Sequence, residues 1–416
     1  MSKLNHSSPQ INNWRVFTFL LIVIQSIGIR FFEGQGILFS ILIIALSYNS
    51  LKLLTPRDYR FLIISFLFLV ICKIANPSFL FKTFIYQTSL IIAAYLFLIR
   101  YRGKLYMLQI EFFIALRIFT FHAIIGYILY LIVPDHFKEI NEMNKSLFYL
   151  FYVSAADFMG VQRNTGLFWE PGVLQLVANL YLFYCIKFKK NIYQIIIAGL
   201  AVVSSFSTTG LIILIINFFY FFYLKFRTKQ LSFFNISLVI IALMLFIPIL
   251  KENASNKMSG KNTSGLVRFR DLIVGIELIK EKPIIGHGQF DTEYLISKDY
   301  INKIESGLFS KEYIKASGDM GGGYTNGLLG LVVWYGIPVS LFLYFLYFKN
   351  KFVEGTFIER FLFCLIPLLS MITEPIAYTS LFLMFPFSSW AINKKNIAIK
   401  KKYKTHAYYF NNRCNL

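Results

Sequence analysis

An all-α fold, polytopic in a membrane, is what this sequence predicts, and three observations predict it. Of 416 residues, 56% are hydrophobic and only 15% charged, with a mean hydropathy of +0.59; a water-soluble chain carries about 25% charged residues. Apolar runs close to the thickness of a bilayer's hydrocarbon core recur along the chain. Lys and Arg gather in every second connection between those runs, as the positive-inside rule requires. That pattern accounts for the formal charge of +21 with the lipid bilayer, and no nucleic acid, as partner. The cysteines Cys72, Cys185, Cys364 and Cys414 have neither the spacing of a disulfide framework nor that of a metal site.

Taken in order, the apolar runs fall near 14–31, 36–53, 61–76, 82–99, 112–133, 171–187, 191–207, 209–224, 231–250, 327–348, 358–373 and 378–392, which predicts about twelve transmembrane helices. The first lacks a small-residue cleavage site and is soon followed by a second, so it reads as a retained span. Basic connections hold Lys52, Arg57 and Arg60; Arg100, Arg102 and Lys104; Lys187, Lys189 and Lys190; Lys225, Arg227 and Lys229; and Lys349, Lys351 and Arg360. On this reading they face the cytoplasm, with both termini and a basic tail at 393–416. The chain is then a single polytopic domain, 1–416, with two large external connections: 134–170, and 251–325 between the ninth and tenth helices.

In the first connection, Asp135–Ser146 is polar, while Leu147–Phe158 is apolar but short and reads as a segment at the interface or dipping into the membrane. The run Arg163-Asn164-Thr165-Gly166-Leu167-Phe168-Trp169-Glu170-Pro171-Gly172 then enters the next span. Pro171 suits the first turn of a helix, where its missing N–H costs nothing, and Glu170 complements the positive end of the helix dipole. Read alone, these residues start a helix and Arg163 anchors to lipid headgroups.

In the second connection, Leu266, Phe269, Leu272, Ile273, Ile276 and Ile279 recur at helical spacing, with Arg268 and Asp271 off the stripe. This predicts an amphipathic helix lying on the outer leaflet. Pro283-Ile284-Ile285-Gly286-His287-Gly288 follows, its glycines leaving the imidazole little cover. Gly321, Gly322 and Gly323 lack the Lys-Ser/Thr of a phosphate-binding loop and read as a flexible entry to the tenth span. Within the fifth span, Arg117 and His122 fall about midway, where ionisable groups are costly and mark a functional interior. Arg117 is there either as a substrate contact or as a partner for another helix.

Counting connections alone, Arg163, Glu170, the Ser207-Thr208-Thr209-Gly210 turn, Arg268, Arg270 and His287 share the external face. Several arginines on one face suit a phosphate or diphosphate, because the guanidinium fork binds its oxygens in pairs and keeps its charge. No His/Asp/Glu group has metal-ligand spacing and no Asp-x-Asp pair is present, so neither a metal nor another cofactor is expected. Arginines would stabilise charge developing on a leaving diphosphate.

The order Arg163-x-x-Gly166-x-Phe168-x-Glu170-Pro171-Gly172, a Ser/Thr-Thr-Gly turn two spans on, Ser264-Gly265-x-x-Arg268, Pro283-x-x-Gly286-x-Gly288 and Asn326 resembles the O-antigen polymerase/ligase superfamily. The resemblance covers roughly residues 160–350. It implies a membrane glycosyltransferase of the bacterial inner membrane, acting on undecaprenyl-diphosphate-linked oligosaccharides as donor and acceptor, with a chain-length regulator and a flippase as further partners. It also implies that Arg163 and Arg268 contact the donor's diphosphate and that Glu170 fixes the local structure or assists the acceptor; Arg270, Arg117 and Asn326 are the further substrate-binding candidates. An acceptor hydroxyl would attack the anomeric carbon while a general base takes its proton; His287 and Glu170 are the candidates, with His287 ahead. Ligase-like members often carry His-Asn before the following span, whereas Thr325-Asn326 stands here. That difference and the Glu-Pro-Gly ending favour a polymerase over a ligase. A flippase would place charges along a central cavity, and a secondary transporter would show related halves, which this chain lacks.

Overall fold

The computed structural model describes residues 11–77, 79–141, 144–158, 160–227, 263–288 and 326–392. Its helices are α1 (Asn13–Ile27), α2 (Gln35–Leu46), α3 (Pro56–Ala75), α4 (Phe81–Ile99), α5 (Leu105–Ile132), α6 (Pro171–Lys187), α7 (Ile192–Ser204), α8 (Thr208–Arg227), α9 (Thr263–Glu281), α10 (Gly327–Phe348), α11 (Phe357–Thr373) and α12 (Ser380–Ala391). Among the described residues, α4, α5, α8 and α10 are long and apolar enough to cross a membrane, and α1, α2, α7 and α12 are shorter apolar helices. The chain is a mostly helical membrane protein. The run at 231–250, the 251–325 loop apart from 263–288, and the tail at 393–416 lie outside the described residues.

Local chemistry starts several helices. Asn12, Asn191 and Asn326 each accept a backbone N–H with the side-chain oxygen, from Arg15, Gln194 and Leu329 at 3.0–3.1 Å, satisfying amides that the first turn leaves free. Thr55 with Asp58, and Thr356 with Glu359, form capping boxes ahead of α3 and α11. At the centre lies α6, buried from Pro171 to Ile186, as expected of a helix that is apolar on every side.

Contacts sort the helix ends into two groups. At one end Arg15 grips Glu111 with Nε and Nη2 at 2.7–3.0 Å. Arg102 donates to Asp58 at 2.8 Å, and Lys187 reaches Glu359 at 3.4 Å. At the other end Leu381 N–H donates to Ser26 Oγ at 2.9 Å, Ile29 N–H donates to the Leu167 carbonyl at 3.1 Å, and Thr209 Oγ1 lies 3.5 Å from Thr373 Oγ1.

Two expectations are corrected. The fold is not all-α, because the connection between α5 and α6 holds a four-stranded antiparallel sheet in the order β1 (Lys138–Glu139), β2 (Asn144–Leu147), β3 (Phe151–Phe158), β4 (Val161–Asn164). The apolar Leu147–Phe158 segment is the end of β2, a tight turn and β3. Pairing satisfies its backbone without a helix, while Leu147 and Val153 bury against Phe137, Tyr127 and Tyr130. The second correction concerns α9. Among the described side chains of α9, Asp271, Val274 and Leu278 are buried, while Leu272 and Ile276 remain exposed. The polar edge carrying Asp271 therefore turns into the bundle, and part of the expected apolar stripe faces outward.

Candidate functional site

Strand β4 delivers Arg163, and the residue after it fixes where. Asn164 is fully buried; its Nδ2 donates to the Ala123 carbonyl of α5 at 3.1 Å and to Ser204 Oγ of α7 at 3.0 Å, while its Oδ1 accepts from Gly166 N–H at 3.0 Å. Arg163 Nε donates to the Ser205 carbonyl at 3.0 Å. The chain then turns through Gly166 at φ +57°, where a Cβ would also stand 2.9 Å from that of Ala123. Both facts require glycine, which explains the Arg-x-x-Gly spacing. Phe168 plugs the bundle beneath the turn, bridged to Gly28 and packed against Phe119 at 5.5 Å.

Glu170 caps α6 in extended conformation, and Pro171 opens the helix. The role of Gly172 is to leave a hole. A Cβ there would fall 1.9 Å from Oε1 of Glu374. Glu374 is the residue that ends α11, and it is 3% exposed. Its carboxyl lies over the first turn of α6, near Glu170.

Four ionisable groups from four distant segments thus lie within electrostatic reach of one another: Arg163 of β4, Glu170 at the start of α6, Arg268 of α9 and Glu374 after α11. Burial raises the Glu374 carboxyl well above the usual carboxylate range; the neighbouring Glu170 raises it further, and Arg268 and Arg163 oppose both. The same burial lowers Arg163, with Glu374 and Glu170 holding its charge in place. Arg268 keeps a buried Nε with no hydrogen-bond partner among the described residues, and a buried donor of that kind is rare enough to need an explanation.

A ladder of buried amides ties the start of α6 to the end of α11. Gln175 Nε2 donates to the Gly172 carbonyl at 2.8 Å and to Ser370 Oγ at 3.0 Å. Asn179 Nδ2 donates to Gln175 Oε1 at 3.1 Å and to the Gly210 carbonyl at 3.2 Å, and Asn217 Nδ2 donates to Asn179 Oδ1 at 3.1 Å. Ser370 sits one turn before Glu374, whose N–H donates to its carbonyl at 3.0 Å. The Ser207–Gly210 turn belongs to this structure: a Cβ on Gly210 would stand 2.6 Å from the Gln175 Cβ. Polar side chains inside an apolar bundle are retained only when paired in this way.

The other predicted residues go elsewhere. His287 lies in a splint. Helix α10 breaks at Gly336 (φ +76°) ahead of Pro338, and the freed groups pair with the Pro283–Gly288 segment. His287 N–H donates to the Val333 carbonyl at 2.8 Å, Gly288 N–H to Trp334 at 2.9 Å and Ile337 N–H to Pro283 at 2.8 Å. Gly286, at φ +71°, faces Gly336 backbone to backbone; a Cβ on Gly336 would be 2.1 Å from the Ile284 carbonyl oxygen. The imidazole Nε2 sits 2.9 Å from the Leu278 carbonyl and 3.9 Å from Glu281. A ring nitrogen facing a carbonyl carries the hydrogen, the tautomer being assigned from its partner. Burial lowers the His287 pKa, Lys282 adding to that effect while the Leu278 carbonyl and Glu281 oppose it.

Asn326 spends its side-chain oxygen capping α10, next to Gly327, where a Cβ would be 2.7 Å from the Glu374 carbonyl oxygen. Arg117 is not brought to the cluster. Its charge acts on Tyr181 and Cys185, roughly 16 and 22 Å along α6 from Glu170 at 1.5 Å per residue, and its guanidinium lies 5.9 Å from the Phe121 ring centre. The side chain of Arg270 lies outside those described. Among the described residues no group of three or more His, Cys, Asp or Glu is placed to hold a metal ion.

Sequence reasoning missed Glu374, although a signal was present. Glu374-Pro375 repeats the Glu170-Pro171 pair at the edge of another apolar run.

Residues 194–344 match a family model described as O-Antigen ligase. The match takes in Arg268, the Pro283–Gly288 segment and Asn326, and stops short of Arg163, Glu170 and Glu374. It supports the O-antigen polymerase/ligase superfamily as the family of this chain. No curated protein matches the chain.

Proposed function

We propose that this chain, for which the 194–344 match supports the O-antigen polymerase/ligase superfamily, is a polysaccharide polymerase. It joins undecaprenyl-diphosphate-linked repeat units at the outer face of the bacterial inner membrane and releases undecaprenyl diphosphate, working without a metal. The observation that carries this reading is that Arg163 and Arg268 lie within electrostatic reach of Glu170 and Glu374 at one end of the bundle. The alternation of basic connections assigns that end to the outside.

In this reading Arg163 and Arg268 hold the donor's diphosphate and take up the charge that develops as the anomeric C–O bond breaks. Preorganised donors of this kind contribute on the order of 10²–10³ in rate. Glu170 is the base that accepts the acceptor hydroxyl's proton. His287 has its Nε2 committed to the Leu278 carbonyl, which favours a role in the α9–α10 splint and moves Glu170 ahead of it. Asn326 supports the site as the cap of α10.

The test is a reconstitution in liposomes with a single lipid-linked repeat unit and no added metal. A ladder of lengthening glycans from wild type, reduced about 100-fold or more in Arg268→Ala, supports the polymerase. One transfer to a different acceptor without further growth would indicate a ligase. Passage of an unextended unit across the bilayer would indicate a flippase.

A further inference from the structure

The hairpin between β2 and β3 ends in a turn that aromatic residues seldom make. Phe148 and Tyr149 stand at φ +55° and +54°, a left-handed backbone that bulky side chains rarely adopt and that Asn-Gly would supply with ease. The turn nonetheless carries large apolar side chains outward: Phe148 is 85% exposed, Tyr149 70% and Leu150 50%. From Ser146 to Ser154 the chain holds no charged residue. The turn also closes its own backbone. Leu150 N–H donates to the Leu147 carbonyl at 3.1 Å, and the Tyr152 hydroxyl donates to the Tyr149 carbonyl. Backbone closed in this way is suited to hydrocarbon, where no water replaces a missing bond.

Packing against α5 sets the depth of this tip. Phe151, the first residue of β3, stacks on His122 with ring centres 4.9 Å apart and presses on Gly126, where a Cβ would lie 2.8 Å from its ring. Glu111 marks the opposite end of the bundle, held by Arg15 of α1 and by Tyr101 just past α4. His122 and Gly126 stand roughly 16 and 22 Å along α5 from Glu111 at 1.5 Å per residue, inside a hydrocarbon core about 30 Å thick. The exposed apolar surface of α5 continues past that level through Ile128 and Ile132. Helical spacing places this stripe, with exposed Ile125, beside the His122 face, while Val153 packs with Tyr127 and Tyr130 further round the helix. The tip therefore leaves the sheet at the edge of the lipid-facing side of α5.

We propose that Phe148, Tyr149 and Leu150 insert into the bilayer and anchor the sheet there, in the leaflet that the basic connections assign to the outside. Lipid fits this tip better than a protein partner does. The turn continues the exposed apolar stripe of α5, it lacks charge, and a tyrosine hydroxyl suits the polar boundary of a membrane. A strained backbone that serves an apolar tip is of the kind kept for function. On the adjacent strand, Val153 of β3 pairs with Asn164 of β4, the residue next to Arg163. The anchor thereby holds Arg163 at the depth of a lipid-borne diphosphate. That consequence rests on the reading of Arg163 as a diphosphate contact; the insertion itself does not.

The experiment attaches a nitroxide to the full-length Cys414→Ser protein in liposomes through Phe148→Cys, Tyr149→Cys or Leu150→Cys, the native Cys72, Cys185 and Cys364 being buried. Collisions with oxygen, which concentrates in lipid, are compared with collisions with a water-soluble nickel chelate. Glu139→Cys, at an exposed position of β1, is the aqueous reference. Labels at the three tip positions favour oxygen, and the label at Glu139 favours nickel. Tip labels as open to nickel as the reference would overturn the anchor, and labels shielded from both reagents would overturn it in favour of a protein contact. A second variant separates anchoring from folding. Phe148→Asn with Tyr149→Gly supplies the residues that this turn prefers, so thermal stability in detergent is kept while the label at Leu150→Cys shifts to water. Its KM for an undecaprenyl-diphosphate-linked repeat unit rises about threefold or more with kcat unchanged. An unchanged KM with the label in water would overturn the positioning of Arg163 and leave the anchor standing. An unchanged KM in Arg163→Ala would instead overturn the reading of the arginine.

Discussion

The two ends of the helix bundle handle charge in opposite ways. At the end holding the start of α1 and α5, each of three acids has its own cation: buried Glu111 with Arg15, buried Asp58 with Arg102, half-buried Glu359 with Lys187. Tyrosines supply further donors, Tyr101 to Glu111 and Tyr95 to Asp58, both at 2.7 Å. At the other end two acids and two arginines lie within electrostatic reach of one another, and Arg268 Nε is left without a partner among the described residues. Closed pairs hold helices together. An acid placed near another acid costs stability, and such groups mark working sites.

Substitutions can break that comparison. The largest effect on folding is expected at the paired end. Glu111→Ala leaves half-buried Arg15 without its carboxylate and Tyr101 without its acceptor, a loss of about 1.5–3 kcal/mol, read as a lower unfolding temperature in detergent. The folded fraction of that variant keeps the wild-type rate of repeat addition. At the open end the sign reverses, with rate falling far more than stability, as in Arg268→Ala. A smaller effect is expected for His287→Ala, which removes one bond to the Leu278 carbonyl and loses about 1 kcal/mol with little change in rate. A loss of rate in that variant comparable to Glu170→Gln would return the imidazole to the role of base. The smallest effect is expected for Arg117→Ala, whose rate stays within about twofold because its charge lies roughly 16 Å or more along α6 from Glu170.

Much of this was legible in the chain. Apolar runs and alternating basic connections marked the helices; Arg163 and Arg268 stood out because diphosphate chemistry needs fixed cations, and Glu170 because it stands at the start of a helix in the same motif. The sheet at 138–164 was not legible. Its apolar stretch is interrupted by a turn through Phe148 and Tyr149, both at positive φ, where glycine or asparagine would have signalled a hairpin. His287 misled because glycine on both sides suggests an accessible ring; those glycines serve the close approach to α10 at Gly336. Glu374 escaped because its partners lie far away in sequence, and only folding of α11 against α6 brings them together.

The central claim is that Arg163 and Arg268 form a diphosphate site, and product inhibition tests it most directly. Undecaprenyl diphosphate added to the reconstituted protein should inhibit repeat addition competitively with the donor. The inhibition constant should rise about tenfold or more in Arg163→Ala and Arg268→Ala, as for loss of a charge-assisted bond, and stay unchanged in Arg117→Ala. Inhibition of equal strength in all four proteins would contradict the account.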